Sequence, residues 1–145
     1  MLVTGAGESV GRVIAEAFLS RGDRVHICDV DAPAVEATLA DNPGMRGTVA
    51  DIGEDGDVER LFDEAQGWLG HVEVLVNCVG IAGPRAPVES IPLDEWNLVR
   101  NVNVTGFFRC TRLAAPGMKE RRHGSIVNFS SCSSHLAPPL RAAYV

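Results

Sequence analysis

Thr4-Gly5-Ala6-Gly7-Glu8-Ser9-Val10-Gly11 sets three glycines directly behind the apolar run Met1-Leu2-Val3 and directly ahead of a helical stretch. Asp29 stands eighteen residues after Gly11, at the end of a second strand-like run, Arg24-Val25-His26-Ile27-Cys28. The chemistry open to such a set is the binding of a pyrophosphate and a ribose. Glycines let the chain turn sharply and keep side chains off the phosphates, while the N–H groups and positive dipole end of the following helix attract their charge. An acid after the second strand accepts hydrogen bonds from the adenosine ribose hydroxyls and repels a 2′-phosphate, which favours NAD over NADP. A phosphate loop of the Gly-Lys-Ser/Thr kind is excluded, because no such run follows the turn. An S-adenosylmethionine site uses a similar turn and acid. On these residues alone it stays open, as does a purely structural tight turn with a chance acid.

The elements that must position these groups alternate along the chain. Leu2 to Thr4 reads as a strand and Val10 to Arg21 as a helix, with Val13-Ile14 and Ala17-Phe18 on one face and Gly22 as its end. Arg24 to Asp29 is the second strand, and Pro33 to Ala40 a short helix with proline in its first turn. Met45 to Ala50 is a weaker third strand, Glu54 to Leu69 an amphipathic helix, and Val72 to Val76 an apolar fourth strand suited to burial on both faces. A Gly- and Pro-rich loop covers Gly80 to Pro92, and helix resumes from Leu93 to Arg122 in two pieces. Ser125 to Phe129 is a fifth strand, and Ser130 to Val145 a Ser- and Pro-containing tail. This alternation predicts an α/β fold, a Rossmann-like doubly wound parallel sheet with right-handed crossovers, as one domain over residues 1–145. The nucleotide belongs at the switch point, beside the ends of the first and fourth strands.

Bulk properties bound the function. The 145 residues are 46 % hydrophobic and 22 % charged, ordinary for a globular domain. A net charge of −6 argues against nucleic acid as a partner, which needs a basic face. Arg121-Arg122-His123 is the one basic run, and it reads as a solvated helix end. Cys28, Cys78, Cys110 and Cys132 are widely spaced, without a Cys-x-x-Cys pair, so neither a metal site nor a disulfide framework is expected and reduced thiols in a cytoplasmic setting are. No signal peptide and no membrane-spanning run is expected. The fifth strand would be an edge with one side unpaired, and the first begins almost at the N-terminus. The open edge makes the sequence read as a fragment, incomplete on the C-terminal side, and the tight beginning as a trimmed or misassigned start.

Further residues fall at spaced positions after the later strands. Asp51-Ile52 follows the third strand, and Asn77-Cys78-Val79-Gly80 the fourth. Asn103 lies within Asn101-Val102-Asn103-Val104-Thr105-Gly106, Ser131 follows the fifth strand, and Tyr144 comes thirteen residues later. With the Thr4 to Gly11 turn, this set resembles the short-chain dehydrogenase/reductase family across the whole chain. A methyltransferase does not account for Ser131 and Tyr144 at this spacing. The resemblance implies an NAD-dependent oxidoreductase that interconverts an alcohol and a ketone by hydride transfer. It assigns the pyrophosphate to Thr4, Gly5, Gly7, Ser9, Val10 and Gly11, and cofactor choice to Asp29. Asp51 and Ile52 are to flank the adenine, with Asp51 bonding its amino group. Asn77 and Gly80 are to shape the groove floor beside the nicotinamide ribose. Asn103 is to hold a water in a proton relay, Ser131 to orient the substrate oxygen and Tyr144 to act as acid/base.

Each residue also admits a structural reading. Asp51 suits a helix N-cap, Asn77 a strand-end turn, Asn103 a cap between helix pieces, and Tyr144 simple packing. Departures from the family pattern stand beside these. Ser9 occupies a position that is usually glycine, Glu8 brings a negative charge towards the phosphates, and Cys78-Val79 replaces a common Asn-Ala. The family's tyrosine is followed four residues on by a lysine that eases its deprotonation and binds the nicotinamide ribose, whereas this sequence ends at Val145. These departures leave a second reading, a non-catalytic dinucleotide-binding or interaction module. Complete family members pair through the helix over Val104 to Arg122 and the one after the tyrosine, so homo-oligomers are expected of a complete protein.

Overall fold

Five parallel strands form a single sheet in the order β3-β2-β1-β4-β5. In the computed structural model, which describes residues 1–145, these are β1 (Leu2–Thr4), β2 (His26–Asp29), β3 (Arg46–Val49), β4 (Val74–Asn77) and β5 (Ser125–Asn128). Between them run α1 (Ser9–Ser20), α2 (Ala32–Asp41) and α3 (Asp55–Leu69), then α4 (Leu93–Arg100) and α5 (Phe107–Arg121), with a short α6 (Ser133–Leu136) after the sheet. The strand order reverses between β1 and β4, which sets the switch point of a doubly wound fold there.

Alternation along the strands builds two cores. Leu2, Cys28 and Leu75 face the layer of α3 and α5, where Leu61, Phe62, Ala65, Cys110 and Ala114 cover them. Val3, Ile27 and Val76 face the opposite layer, with Ala15 from α1 and Val35 from α2. Both faces of the central strands are thus covered, and for this reason their sequences read as unbroken apolar runs rather than as alternating ones. Burial of Cys28 and Cys110 raises both thiols, Cys110 to about 12, so neither is reactive at neutral pH.

Two elements differ from the sequence expectation. The helix from Leu93 does not break into two pieces: α4 runs into a π-helical turn, Asn101–Gly106, which runs on into α5. The Gly80 to Pro92 loop carries a 3₁₀ turn at Val88–Ser90. The outer side of β5 has no neighbouring strand, and Val127 and Phe129 beside it are exposed. No helix is long and apolar enough to cross a membrane.

At the amino end of the sheet, away from the switch point, His26 of β2 is only 3 % exposed. The Thr48 hydroxyl donates its one proton to Glu64, so it accepts from the His26 Nε2–H at 2.9 Å. That fixes the neutral tautomer and leaves buried Nδ1 without a partner. Desolvation therefore holds His26 in the neutral form, its pKa lowered from 6.5 to about 4. A depressed histidine pKa means that the unfolded chain takes up the proton first. Stability is then greatest above pH 6.5 and falls as the pH drops towards 4, by up to about 3 kcal/mol from this group. Urea unfolding across that range is expected to show the loss, and His26→Gln to flatten it. An equal slope in the variant would assign the acid sensitivity elsewhere.

Candidate functional site

The turn between β1 and α1 passes between the carboxyl ends of β2 and β4. Gly5 has φ +65° and lies so close to β4's exit that a Cβ would stand 2.9 Å from the Val79 backbone. A Cβ on Gly11 would overlap the Gly5 carbonyl. Only glycine lets the first turn of α1 close down on the strand it leaves. No side chain caps α1, so the N–H groups of its first turn are open to an anion from outside the chain.

Two cavities flank this turn. One, of about 440 Å³, brings Ser9, Val10 and Gly11 together with Asn103, Ser131 and Tyr144. The other, of about 420 Å³, brings Glu8 and Ser9 together with Asp29, Asp51 and Ile52, beneath Val30 and Leu98. Gly5, Ser9, Cys78, Val79 and Gly80 belong to both, so the cavities meet over the β1–α1 turn. An elongated groove results, acidic at one end and hydroxyl-lined at the other. It fits a dinucleotide: the two ends lie on either side of an uncapped helix start that a pyrophosphate can occupy.

Three of the expected ligand residues support the groove from below instead of lining it. Thr4 is buried, and its hydroxyl donates to the Val76 carbonyl (3.4 Å) and accepts from the Cys78 N–H (3.1 Å), tying β1 to β4's exit. The Gly7 N–H donates to the Asp29 carboxylate at 3.1 Å, while its carbonyl accepts from buried Thr38 at 2.6 Å. Asn77 is fully buried and does not shape the groove floor as expected. Its Nδ2 donates across the sheet to Asn128 Oδ1 at 2.8 Å, because strand alternation turns it towards the α5 layer, and the floor falls to Cys78, Val79 and Gly80. Ile52 borders the cavity at the acidic end, but its side chain is buried in the core and packs against Gly106.

The other expected residues reach it. Asp29 lines the acidic end with one oxygen on Gly7 and the other accepting from the Asp31 N–H at 3.2 Å, so its carboxylate is held in place. Asp51 Oδ1 accepts from the Gly53 N–H at 2.7 Å. It is an Asx turn rather than the cap of α3, whose N-cap is Glu54. Asn103 clamps the loop after β4, its Oδ1 accepting from the Ile81 N–H and its Nδ2 donating to the Ile81 carbonyl, both at 2.9 Å. Ser131 Oγ accepts from the Ser133 N–H at 3.1 Å and shares its cavity with Tyr144. Ser9 takes φ +56°, the left-handed backbone that glycine adopts freely, and so retains the shape of a glycine turn at a cost in strain.

Sequence reasoning missed Asn101. Its Nδ2 donates to the Gly53 carbonyl (2.9 Å), and its Oδ1 accepts from Arg109 (2.8 Å), which also pairs with Asp55. The π-helical turn therefore braces both groove loops, Asn101 holding the one with Asp51 and Asn103 the one with Gly80. The signal in the sequence was a second asparagine two residues before the first.

The profile of the short chain dehydrogenase family matches residues 1–145. The chain belongs to the short-chain dehydrogenase family. It is 29% identical over 143 residues to 2-dehydro-3-deoxy-L-rhamnonate dehydrogenase (NAD(+)) of a Sphingomonas species, covering 99% of this chain and 57% of that protein. It is 35% identical to 2-(S)-hydroxypropyl-CoM dehydrogenase 3 of Xanthobacter autotrophicus, covering 98% of this chain and 57% of that protein. Among solved structures, NAD+-bound xylitol dehydrogenase superimposes with a TM-score of 0.92 at 31% identity, over 99% of this chain and 56% of that one. The chain thus spans a little over half the length of these dehydrogenases.

The glycine packing makes a sharp contrast testable. Gly11→Ala is expected to lose about 2–4 kcal/mol, since the clash is with main chain that cannot yield. Gly67→Ala in α3, where a Cβ meets nothing within 4 Å, is expected to gain about 0.5–1 kcal/mol. Urea unfolding measures both, and similar small effects at the two sites would contradict the close approach.

Proposed function

We propose that the groove binds NAD, adenine towards Asp29 and Asp51 and nicotinamide towards Tyr144, as part of an oxidoreductase that interconverts an alcohol and a ketone. The observation that carries this reading is the meeting of the two cavities over a helix start that no side chain caps. Asp29 is held by two N–H donors where it can accept from both ribose hydroxyls, and its charge opposes a 2′-phosphate, which supports NAD over NADP. Gly7 serves by fixing that carboxylate, and Asp51 retains an oxygen for the adenine amino group beside the Gly53 turn.

NAD supplies the acceptor for a hydride from the carbinol carbon. Tyr144 as phenolate takes the hydroxyl proton as the carbonyl forms, and as phenol returns it in the reverse direction, while Ser131 orients the reacting oxygen. Asn103 keeps Ile81 and Gly80 in place at the nicotinamide end, so its side chain acts on the shape of the groove. Cys78 sits in the floor with its thiol raised by desolvation and therefore protonated, a neutral surface for the cofactor. Four free thiols agree with a reducing, cytoplasmic setting.

Titration with NADH, followed by its fluorescence, is expected to saturate and to show weaker binding of NADPH. Asp29→Ala is expected to weaken NADH about 10-fold and to narrow the gap between the two. Tyr144→Phe should leave NADH binding unchanged and remove alcohol oxidation. The absence of saturable binding would sink the reading; binding by a protein that turns over no alcohol or ketone would favour the non-catalytic module. The brace is tested separately with Asn101→Asp, which keeps an acceptor for Arg109 but loses the donor to Gly53. AMP affinity is expected to fall about 3- to 10-fold while nicotinamide mononucleotide affinity holds. Equal effects on the two would deny Asn101 a role specific to the adenine end.

A further inference from the structure

Beyond Tyr144, on the side away from the glycine turn, lies a third cavity of about 380 Å³. Arg85, Arg141, Ser133 and Tyr144 line it together with Ala82 and the Pro138-Pro139 pair. No carboxylate is among these residues, and neither arginine takes part in any of the seven ion pairs of the chain. In a protein of net charge −6, this is a locally cationic pocket without an internal counter-charge.

The two arginines come from separate segments that are fastened together. The Ala86 N–H donates to the Leu140 carbonyl at 3.2 Å, and Arg141 Nη1 makes a long contact of 3.4 Å to the Gly83 carbonyl. Gly83 has φ +64° and is seated on Val99 of α4 so closely that a Cβ would overlap it. The tail turns sharply around the two prolines, with Ala137 (φ +43°) and Leu140 (φ +64°) both in the left-handed region on either side of them. Non-glycine residues hold that conformation only where surrounding contacts impose it, and such strain gathers at functional sites. The corner faces Arg141 towards the loop that carries Arg85. Tyr144 borders both this cavity and the one with Ser131, so a molecule whose oxygen meets Tyr144 can extend into the arginine pocket.

We propose that the substrate is a hydroxy acid and its keto acid, with the carboxylate held by Arg85 and Arg141. This inference rests on the reading of Tyr144 as the acid/base of the site. A guanidinium presents a planar fork of donors that matches a carboxylate, and two forks from facing segments fix its distance from the reacting carbon. A neutral polyol would leave both cations without partners.

Tyr144 is the only tyrosine in the chain, so a protein labelled with ¹³C at the tyrosine ring gives one signal from the pocket itself. Racemic 3-hydroxybutyrate and 1,3-butanediol share a skeleton and differ in carboxylate against CH₂OH, and each is titrated with and without NADH. The acid is expected to shift the Tyr144 signal saturably, at least about 10-fold more tightly than the diol, and to weaken as salt is raised. Arg85→Gln and Arg141→Gln are each expected to cost about 3- to 10-fold in acid affinity, with the diol and NADH unaffected. Arg85 makes no hydrogen bond or ion pair within the chain, so its variant has no internal polar contact to lose. Equal binding of acid and diol, or unchanged acid affinity in both variants, would overturn the proposal. A failure of NADH to bind would count against the dinucleotide groove alone, because the acid titration without NADH judges the arginine pair independently.

Discussion

Everything at the carboxyl end of the sheet depends on main chain packing against main chain. Gly11 rests on the Gly5 carbonyl, and Gly5 rests on the Val79 backbone. With no Cβ in either contact, α1 begins almost on top of β1, and its uncapped N–H groups open between the exits of β2 and β4. The groove is what this approach leaves empty. Thr4 fastens the same place from beneath, bonding to Val76 and Cys78 at once, and Gly7 fixes Asp29 through its N–H. Strand order alone would place a crevice here, but the glycine contacts give it a floor low enough for a pyrophosphate.

Periodicity and turn residues made most of the fold legible in the sequence. Unbroken apolar runs announced strands covered on both faces, and the helices between them announced parallel crossovers. The site was legible as a set of positions, much less as a set of side-chain directions. Asn77 illustrates the difference. Its place after β4 suggested the groove floor, yet one step of strand alternation turns it into the α5 layer, where it meets Asn128. Asn103 does reach the groove, but its amide is spent on Ile81. Asn101 stands in the same run as Asn103, but its bond to Gly53 spans forty-eight residues that only the folded topology brings together.

The two ends of the groove are built on different physical terms. At the acidic end, both carboxylates are held by main-chain N–H groups, Asp51 by Gly53 two residues on and Asp29 by Asp31 and by Gly7 of the β1–α1 turn. At the other end, Ser131 and Tyr144 lie on a segment with little regular structure, kept in place by α6, by two residues in left-handed conformation and by the contact with the loop after β4. The acidic end is therefore fixed by main-chain donors on its carboxylates, while the hydroxyl end depends on how one irregular segment docks against the loop after β4. The arginine pocket belongs to that second end.

The central claim is that the two cavities form one dinucleotide groove with a fixed direction. A crystal structure of the protein with NADH tests it most directly. The account predicts the adenine beneath Val30 and Leu98 with its ribose on Asp29, the pyrophosphate over Ser9 to Gly11, and the nicotinamide beside Tyr144. A cofactor bound in the reverse direction, or lying clear of the β1–α1 turn, would contradict it.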